Sequence, residues 1–260
     1  MSQFVMTVLG SGTCVPSANR CSSGYWIDAG ATRIRLDCGS GTVDAMARFD
    51  LPWTELTHQF ISHFHLDHVG ELAGLLFALK YGRAAPRSAP LTLVGPAGLR
   101  ALVERVGAAY GEALLEQEFP IVFSELEPDA TLELGGGAVL RVAKTPHTAE
   151  SLAVRVEHGG RTIGYTGDTA PSPDLGRFFA GVDVLVSECS FLEPNRAIKH
   201  LAADEVADLA TECGARRLVA THCYFDPDAA RLGERLAGRY SGPIDVARDG
   251  LTVKVGEAAS

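Results

Sequence analysis

Short segments in which apolar and polar residues alternate recur along the whole chain, and this pattern predicts β-strands. In the first half the predicted strands are Phe4–Leu9, Tyr25–Ile27, Arg33–Leu36, Gln59–Ser62 and Leu91–Val94. Other segments have the period of an amphipathic helix, and they predict helices at Val43–Phe49, Glu71–Tyr81 and Leu99–Tyr110.

The second half repeats this order of elements. Its predicted strands are Thr131–Leu134, Val139–Lys144, Leu152–Glu157, Thr162–Thr166, Val182–Ser187, Leu218–Thr221 and a strand pair over Ile244–Val255. Its predicted helices are Ala203–Cys213 and Ala229–Tyr240. Antiparallel hairpins therefore open each half, and alternation of strands with helices closes it.

Two mixed sheets that face each other, each covered on its outer side by helices, would bury the apolar faces of all these elements at once. The predicted fold class is therefore α/β, as a four-layer αββα sandwich. No linker rich in Pro, Gly or Ser divides the chain, so we predict a single domain over residues 1–260 with two similar halves, roughly Met1–Leu134 and Gly135–Ser260. The segment Gly82–Pro90 is the best candidate for an exposed loop or lid.

Composition and charge narrow the class of protein without naming a function. The chain has 260 residues, 46% of them hydrophobic, and a formal net charge of −9. This acidity argues against an extended nucleic-acid surface, which usually needs a basic stripe. No apolar run reaches the roughly 20 residues that span a bilayer, and the first residues lack the features of a signal peptide. Because the six cysteines are scattered, as is typical of reduced thiols, we expect a cytoplasmic protein with no membrane partner.

Three histidines and an aspartate fall within six residues, in the segment His63-Phe64-His65-Leu66-Asp67-His68. The segment follows a predicted strand and precedes a predicted helix. In an extended loop His63 and His65 point to the same side, because alternate residues share a face. A polar surface loop is the alternative interpretation, but imidazole is the commonest nitrogen ligand of metals in proteins. The segment therefore predicts a metal centre.

A metal centre of this kind needs further ligands, and these should come from the ends of other strands. Four residues with suitable side chains directly follow predicted strands, namely Asp37, His147, Asp168 and His222. Taken alone, an aspartate after a strand is more often a turn residue or a helix cap. Their shared position at the carboxyl ends of strands favours one common site.

The ordered set of these residues resembles the metallo-β-lactamase superfamily, and it spans nearly the whole chain. The resemblance implies the same αββα sandwich that the pattern of elements predicts. It implies one metal ion held by His63, His65 and His147, and a second ion held by Asp67, His68 and His222. Asp168 would bridge the two ions, and Asp37 would orient ligands without binding a metal.

Two positions separate this chain from branches of that superfamily. Asp168 stands where β-lactamases of the common zinc type carry a cysteine, so hydrolysis of antibiotics is not expected. His65 stands where the diiron flavoprotein branch carries a glutamate, so reduction of oxygen or nitric oxide is not expected. With these two branches excluded, the chain resembles the metal-dependent hydrolases of the superfamily.

The chain looks most like the ribonuclease Z-like branch, which also includes small phosphodiesterases. The segments that carry this resemblance are Val8–Thr13, Gly95-Pro96 and Glu188–Phe191, followed by His200 and the helix that begins near Asp204. Only twenty residues separate His147 from Asp168, so the long arm by which ribonuclease Z grips tRNA is missing. Leu201 and Ala202 stand where those nucleases usually carry hydroxyl residues. Processing of tRNA 3′ ends is therefore a secondary hypothesis.

Two divalent ions about 3.5–4 Å apart can share a bridging water and lower its pKa toward roughly 7, which makes hydroxide available. Zinc is the expected metal for such a histidine-rich site, and manganese or iron would also fit these ligands. The predicted catalytic residues are Asp67, His200 and Glu188. By resemblance His200 would steady a phosphoryl oxygen or protonate the leaving alkoxide, and Glu188 would hold its tautomer. A capping or surface histidine is the alternative for His200.

We therefore predict a dinuclear metal-dependent phosphodiesterase that acts on a small phosphodiester or a short nucleic-acid end through a metal-bridging hydroxide. The alternatives are an acyl hydrolase for lactones or thioesters and a catalytically silent metal-binding module. By resemblance a homodimer is also expected. Four aromatic residues that flank proposed ligands could form a wall for a base or ring, or pack into the core: Phe64, Phe191, Tyr224 and Phe225.

Overall fold

The strands form two mixed sheets in the computed structural model of the protein, which describes residues 4–82, 87–111, 114–195, 197–225 and 229–256. In chain order the strands are β1 (Phe4–Gly10), β2 (Gly24–Ala29), β3 (Thr32–Leu36), β4 (His58–Phe60), β5 (Leu91–Pro96), β6 (Ile121–Leu126), β7 (Thr131–Gly135), β8 (Ala138–Lys144), β9 (Leu152–His158), β10 (Arg161–Tyr165), β11 (Val184–Glu188), β12 (Leu218–Thr221), β13 (Ile244–Val246) and β14 (Thr252–Lys254). The first sheet has the order β14-β1-β2-β3-β4-β5-β6, and the second has the order β13-β12-β11-β10-β9-β8-β7.

Each sheet combines an antiparallel part with a parallel part, as the sequence pattern predicts. In the first sheet β1 to β3 are antiparallel neighbours, whereas β3 to β6 run parallel. In the second sheet β7 to β10 are antiparallel, whereas β10 to β13 run parallel. Parallel neighbours need a crossover connection, so the helices fall in the parallel part of each half.

The crossover segments carry the helices. In chain order these are α1 (Thr42–Arg48), α2 (Leu66–Val69), α3 (Leu72–Tyr81), α4 (Leu99–Tyr110), α5 (Pro173–Phe178), α6 (Ala203–Glu212) and α7 (Ala229–Ala237). A short 3-10 turn at Trp53–Glu55 precedes β4. None of the helices in the described part of the chain is long and apolar enough to cross a membrane.

Three apolar clusters correspond to the three interfaces between four layers. The central cluster lies between the two sheets and contains side chains such as Met6 and Val184. A second cluster joins α6 to the second sheet and contains Val206. The third joins α3 to the first sheet, where Leu75 and Leu93 are fully buried. Burial of a large aliphatic side chain contributes about 1.5–3 kcal/mol, so these interfaces stabilise the fold. The predicted αββα sandwich is confirmed.

Two strands lie within Ile244–Val255, as predicted, but they do not pair with each other. The segment forms two strands that belong to different sheets: β13 pairs with β12, whereas β14 pairs with β1. The connection between them crosses from one sheet to the other. At its start the N–H of Ala247 donates to Ala220 O in the second sheet, and at its end Leu251 O accepts the N–H of Val8 in the first sheet. An apolar pattern around a turn cannot distinguish a hairpin from such a crossing.

The structure also differs from the predicted boundary of the two halves and contains elements that the pattern missed. The division between Leu134 and Gly135 falls inside β7, and the change of sheet takes place between β6 and β7. Strand β6 was not predicted because the residues of this edge strand do not alternate between buried and exposed positions, and helices α2 and α5 were not predicted because each is short. The predicted lid Gly82–Pro90 lies partly outside the described residues, which exclude 83–86. A single domain over residues 1–260 stays a prediction.

Candidate metal centre

The seven residues predicted as metal ligands meet at one edge of the sandwich, where strands of both sheets end. The first sheet supplies His63, His65, Asp67 and His68 from the loop after β4 and from α2. The second sheet supplies His147, Asp168 and His222, which follow β8, β10 and β12. Ligand-type atoms of these residues gather into groups whose members lie within 4.8 Å of one another.

One group, which we call the outer triad, consists of His63, His65 and His147. The Nδ1 atom of His65 lies 3.0 Å from Nε2 of His63 and 3.2 Å from Nε2 of His147. His63 is fully buried, whereas His65 is exposed. Three ligands about 2.0–2.1 Å from a tetrahedral ion stand roughly 3.4 Å apart, so the spacing of these nitrogens fits one cation.

The other group, the inner triad, consists of Asp67, His68 and His222, and all three are buried. The Oδ2 atom of Asp67 lies 3.3 Å from Nε2 of His222 and 3.8 Å from Nε2 of His68. Asp67 and His68 are consecutive residues of the short helix α2, which carries both of them to the cluster. This triad fits a second cation.

Asp168 lies between the two triads. Its Oδ2 atom is 3.7 Å from Nε2 of His63 and 3.3 Å from Nε2 of His68, whereas its Oδ1 atom is 3.6 Å from Nε2 of His222. Among the described residues, two buried atoms here have no hydrogen-bond partner, Nε2 of His68 and Oδ1 of Asp168. Buried polar atoms without partners are costly unless a bound group satisfies them. The His/Asp cluster therefore fits a dinuclear metal site.

Asp37 lies behind the cluster and is fully buried. Its Oδ2 atom accepts hydrogen bonds from Nδ1 of His68 at 2.7 Å, from the hydroxyl of Tyr165 at 2.6 Å and from the hydroxyl of Ser62 at 2.8 Å. Its Oδ1 atom accepts the backbone N–H of Ser62 at 2.7 Å. Because Asp37 holds Nδ1 of His68, the other ring nitrogen, Nε2, is the atom that faces the cluster and that a cation would bind.

In most of the other histidines of the two triads, the ring nitrogen that faces away from the cluster also forms a hydrogen bond. Nδ1 of His63 donates to the hydroxyl of Ser62 at 3.0 Å, and Nδ1 of His147 donates to the carbonyl of Lys199 at 2.9 Å. These partners fix each ring in the tautomer and the orientation that metal binding needs. The sequence gives no signal for them, since a serine or a backbone carbonyl is not a recognisable motif.

Glu188, at the end of β11, forms a second buried network. It accepts Nδ1 of His200, which is 3.0 Å from each of its carboxylate oxygens, as well as the hydroxyl of Ser190 at 2.6 Å. The backbone N–H of Thr169 donates to it at 2.6 Å. The hydroxyl of Ser190 also accepts Nδ1 of His222 at 3.1 Å. The two predicted catalytic residues His200 and Glu188 are thus in direct contact.

His200 stands at the rim of the inner triad. It is mostly buried, and its Nδ1 lies 4.0 Å from Oδ2 of Asp168. Since that nitrogen donates to Glu188, it faces a carboxylate rather than a cation. Burial lowers the pKa of His200, but its hydrogen bond to Glu188 outweighs this effect and raises the pKa above its ordinary value. The structure does not support the alternative of a surface histidine.

The electrostatics of the two triads differ. Burial lowers the pKa of His63, so its ring is neutral. Burial also disfavours the charged form of His68, but Asp168 and Asp37 outweigh it and hold the pKa of His68 well above its ordinary value. Despite its own burial, Asp168 has a pKa well below its ordinary range because His222 and His68 lie beside it. A buried carboxylate that stays ionised among imidazoles attracts cations.

The backbone is unusual at two of these positions. Asp37 and His222 both have positive φ, at 57° and 58°, which non-glycine residues rarely adopt. Strained backbone of this kind persists where the surrounding contacts hold it, and it clusters at functional sites. Gly167, with φ of 56°, lets the chain before Asp168 approach Ser62 closely, since a Cβ atom there would lie 3.1 Å from Ser62 Cβ.

Known proteins resemble this chain in sequence over most of its length. The family model for the beta-lactamase superfamily domain matches residues 32–223, which contain all the residues of both triads. This chain belongs to the beta-lactamase superfamily. It is also 29% identical to the ribonuclease Z of Myxococcus xanthus, with 98% of this chain and 99% of that protein covered. It is 28% identical to the ribonuclease Z of Mycobacterium bovis, with 96% and 98% covered.

Solved structures of the superfamily share the whole fold. The metallo-beta-lactamase fold protein YhfI from Bacillus subtilis superposes with a TM-score of 0.85 at 25% identity, covering 98% of this chain and all of that one. The short form of human tRNase Z superposes with a TM-score of 0.78 at 23% identity, covering 97% of this chain and all of that one. The αββα sandwich of the superfamily therefore extends over essentially the whole chain.

Proposed function

We propose that this protein is a dinuclear metal-dependent hydrolase, and specifically a phosphodiesterase that acts on a small phosphodiester or a short nucleic-acid end. The observation that carries the proposal is the pair of triads that share Asp168, with the His200–Glu188 pair beside them. The relatives named ribonuclease Z support a phosphodiester as the bond that is cleaved.

The residues present would fit two divalent cations, one in each triad, and we propose zinc because imidazole and carboxylate ligands suit it. A pair of such ions supplies an activated water and offsets the charge that grows on a phosphoryl oxygen. Asp168 suits the position between the ions because its carboxylate lies within 3.3–3.7 Å of histidines of both triads. Asp37 and Ser62 orient ligand rings without binding a cation.

The role we propose for His200 is to steady a phosphoryl oxygen or to give a proton to the leaving alkoxide. Its Nδ1 is committed to Glu188, so Nε2 is the atom left for the substrate. The raised pKa of His200 favours the protonated ring near neutral pH, which is the form that a general acid requires. Such a role suits an alkoxide leaving group better than the thiolate that a thioester releases.

The first test is hydrolysis of bis(p-nitrophenyl) phosphate by metal-loaded protein, with and without a chelator. We expect turnover that the chelator abolishes and that zinc or manganese restores. The variant His200→Ala should lower turnover of a diester that releases an alkoxide, such as a dinucleotide, by about 10²-fold or more while both metals stay bound. Turnover on lactone and thioester substrates but not on the diester would favour an acyl hydrolase. Two bound metals without turnover on any of these substrates would favour a silent metal-binding module.

A second candidate function is endonucleolytic processing of tRNA 3′ ends, which the named relatives favour. The segment between His147 and Asp168 consists of the β9–β10 hairpin and its short connections, so it offers no arm of the kind that ribonuclease Z uses. Cleavage of a precursor tRNA at a rate comparable with that of the model diester would establish this function. Cleavage of the diester alone would support a small substrate.

Two further expectations belong to this proposal. We propose a homodimer, supported by a groove between α3 and α4 that is lined by the large, mostly exposed rings of Phe77, Tyr81 and Tyr110. Light scattering after size exclusion would distinguish a dimer from a monomer.

We also propose a cytoplasmic location, with which the six free cysteines agree.

A further inference from the structure

Four aromatic side chains flank the metal centre, and the structure divides them into two pairs. Phe64 and Phe225 pack against the apolar clusters under the outer helices. Phe191 and Tyr224 belong to none of the three apolar clusters, although both are partly buried. The second pair therefore has no evident part in holding the core together.

Phe191 and Tyr224 form a stacked pair at the His200 side of the centre. Their ring centroids are 5.7 Å apart and their planes differ by only 17°. The ring of Tyr224 lies 5.7 Å from the ring of His200 and 5.6 Å from that of His222. A group attached to a phosphoryl at His200 would thus come within reach of the aromatic pair.

The pair is held in place by the same segment that carries the Glu188 network. The N–H of Tyr224 donates to the carbonyl of Ser190 at 3.2 Å, and the N–H of Phe191 donates to the carbonyl of Leu201 at 3.3 Å. The hydroxyl of Tyr224 lies 3.5 Å from Sγ of Cys14, in the loop after β1. Both rings are therefore preorganised, which lowers the entropic cost of binding a ligand against them.

We propose that Tyr224, backed by Phe191, is a stacking subsite for a planar heterocyclic ring, and that the substrates are phosphodiesters with a nucleoside on one ester arm. The inference rests on the proposed function, because it places the diester at the same centre. Stacking on an aromatic ring tolerates any base, since every base has a π-face. The subsite thus favours a nucleoside over an alkyl group, whichever base the nucleoside carries.

The test compares two diesters that share one leaving group, thymidine 5′-(p-nitrophenyl phosphate) and methyl p-nitrophenyl phosphate. With wild-type protein we expect kcat/KM to be larger for the thymidine ester. Tyr224→Ala should lower kcat/KM for that ester by about tenfold or more and leave the methyl ester within about twofold. Tyr224→Phe, which keeps the ring, should retain the preference. Phe123→Ala, which removes a partly buried ring from the edge strand β6, is the matched control and should change neither rate.

Equal losses on both esters in Tyr224→Ala would overturn the proposal, because they would mean that the ring only supports the centre. An unchanged preference for thymidine would overturn it as well. Calorimetric binding of thymidine 5′-monophosphate and of methyl phosphate to the metal-loaded protein gives a readout that does not need turnover. If neither diester is hydrolysed but thymidine 5′-monophosphate binds more tightly in a Tyr224-dependent way, the subsite stands and the proposed hydrolysis fails. Equal affinity for the two monoesters would refute the subsite.

Discussion

Two buried carboxylates hold the histidines of the centre from opposite sheets, and they do so by the same device. Asp37, after β3 of the first sheet, accepts the ring N–H of His68 directly. It reaches a second ring through a serine, because the hydroxyl of Ser62 donates to Asp37 and accepts Nδ1 of His63. One carboxylate therefore fixes the tautomers of two rings.

Glu188, at the end of β11 in the second sheet, repeats this arrangement. It accepts the ring N–H of His200 directly and reaches His222 through the hydroxyl of Ser190. The two arrangements differ in how many of the rings they hold are predicted metal ligands. Both rings held by Asp37 belong to the triads, whereas only one ring held by Glu188 does.

The comparison teaches that one structural device can serve two chemical purposes. On the Asp37 side it orients two ring nitrogens toward the cations, so the loss of Asp37 should weaken metal binding. On the Glu188 side it prepares one lone pair and leaves His200 with a raised pKa beside the cluster, so its loss should be felt in turnover.

The variant Asp37→Asn should lose metal and stability together. An amide replaces one acceptor by a donor that faces the donors of Ser62, His68 and Tyr165, and each buried group left unsatisfied costs about 1–3 kcal/mol. We expect a free energy of unfolding lower by about 2–5 kcal/mol, and a metal affinity lower by at least 10–100-fold. Urea unfolding and metal content after dialysis measure these effects.

The matched control for this variant is Asp183→Asn. Asp183 is also buried and accepts the N–H of Thr162 and the guanidinium of Arg161, but it lies away from the cluster. It should lower stability and leave the metal content at the wild-type level. Full retention of both metals in Asp37→Asn would refute the role given to Asp37.

The variant Glu188→Gln should reduce turnover more than metal binding. Glutamine keeps the shape but loses the charge that raises the pKa of His200, so less of the general acid is protonated near neutral pH. We expect kcat for a diester to fall by about 10²–10³-fold, with metal affinity reduced by less than about tenfold. Glu71→Gln, at a glutamate that accepts the N–H groups of Gly41 and Val43, is a control that should keep kcat. Metal loss as large as that of Asp37→Asn would remove the distinction between the two networks.

The smallest expected effect is a difference in how pH changes metal binding at the two triads. In the metal-free protein Asp168 and Asp37 hold the pKa of His68 well above its ordinary value, so a cation must displace a proton there. Affinity at the inner triad should therefore fall as pH falls, by about tenfold per pH unit for one displaced proton. Burial lowers the pKa of His63 and His147, so these rings are already neutral and should add no such slope at the outer triad.

Calorimetric titration of zinc at several pH values, in buffers of different ionisation enthalpy, counts the protons released in each binding step. We expect one step that releases about one proton more than the other near neutral pH. Two steps with the same proton release and the same pH slope would contradict the electrostatic difference between the triads.

Much of the centre could be predicted from the sequence because its ligands follow strands. Alternation predicts where β4, β8, β10 and β12 end, and the polar side chains found there are those of the triads. Residues that act through another residue left no such mark. Tyr165 is one position of an apolar strand, yet its hydroxyl binds Asp37, 128 residues earlier in the chain. The same holds for Ser62 and Ser190, since serine is common in loops.

The sequence by itself determined the period of the strands and helices, the αββα class and the kinds of ligand that the centre can offer. These follow from local chemistry, because periodicity and side-chain type are properties of short segments. Only the folded structure shows that β14 returns to the first sheet, how far Asp168 lies from the histidines of each triad, and that Ser190 joins Glu188 to His222. Such contacts depend on packing between distant segments, and the free energy of that packing is a property of the whole sandwich.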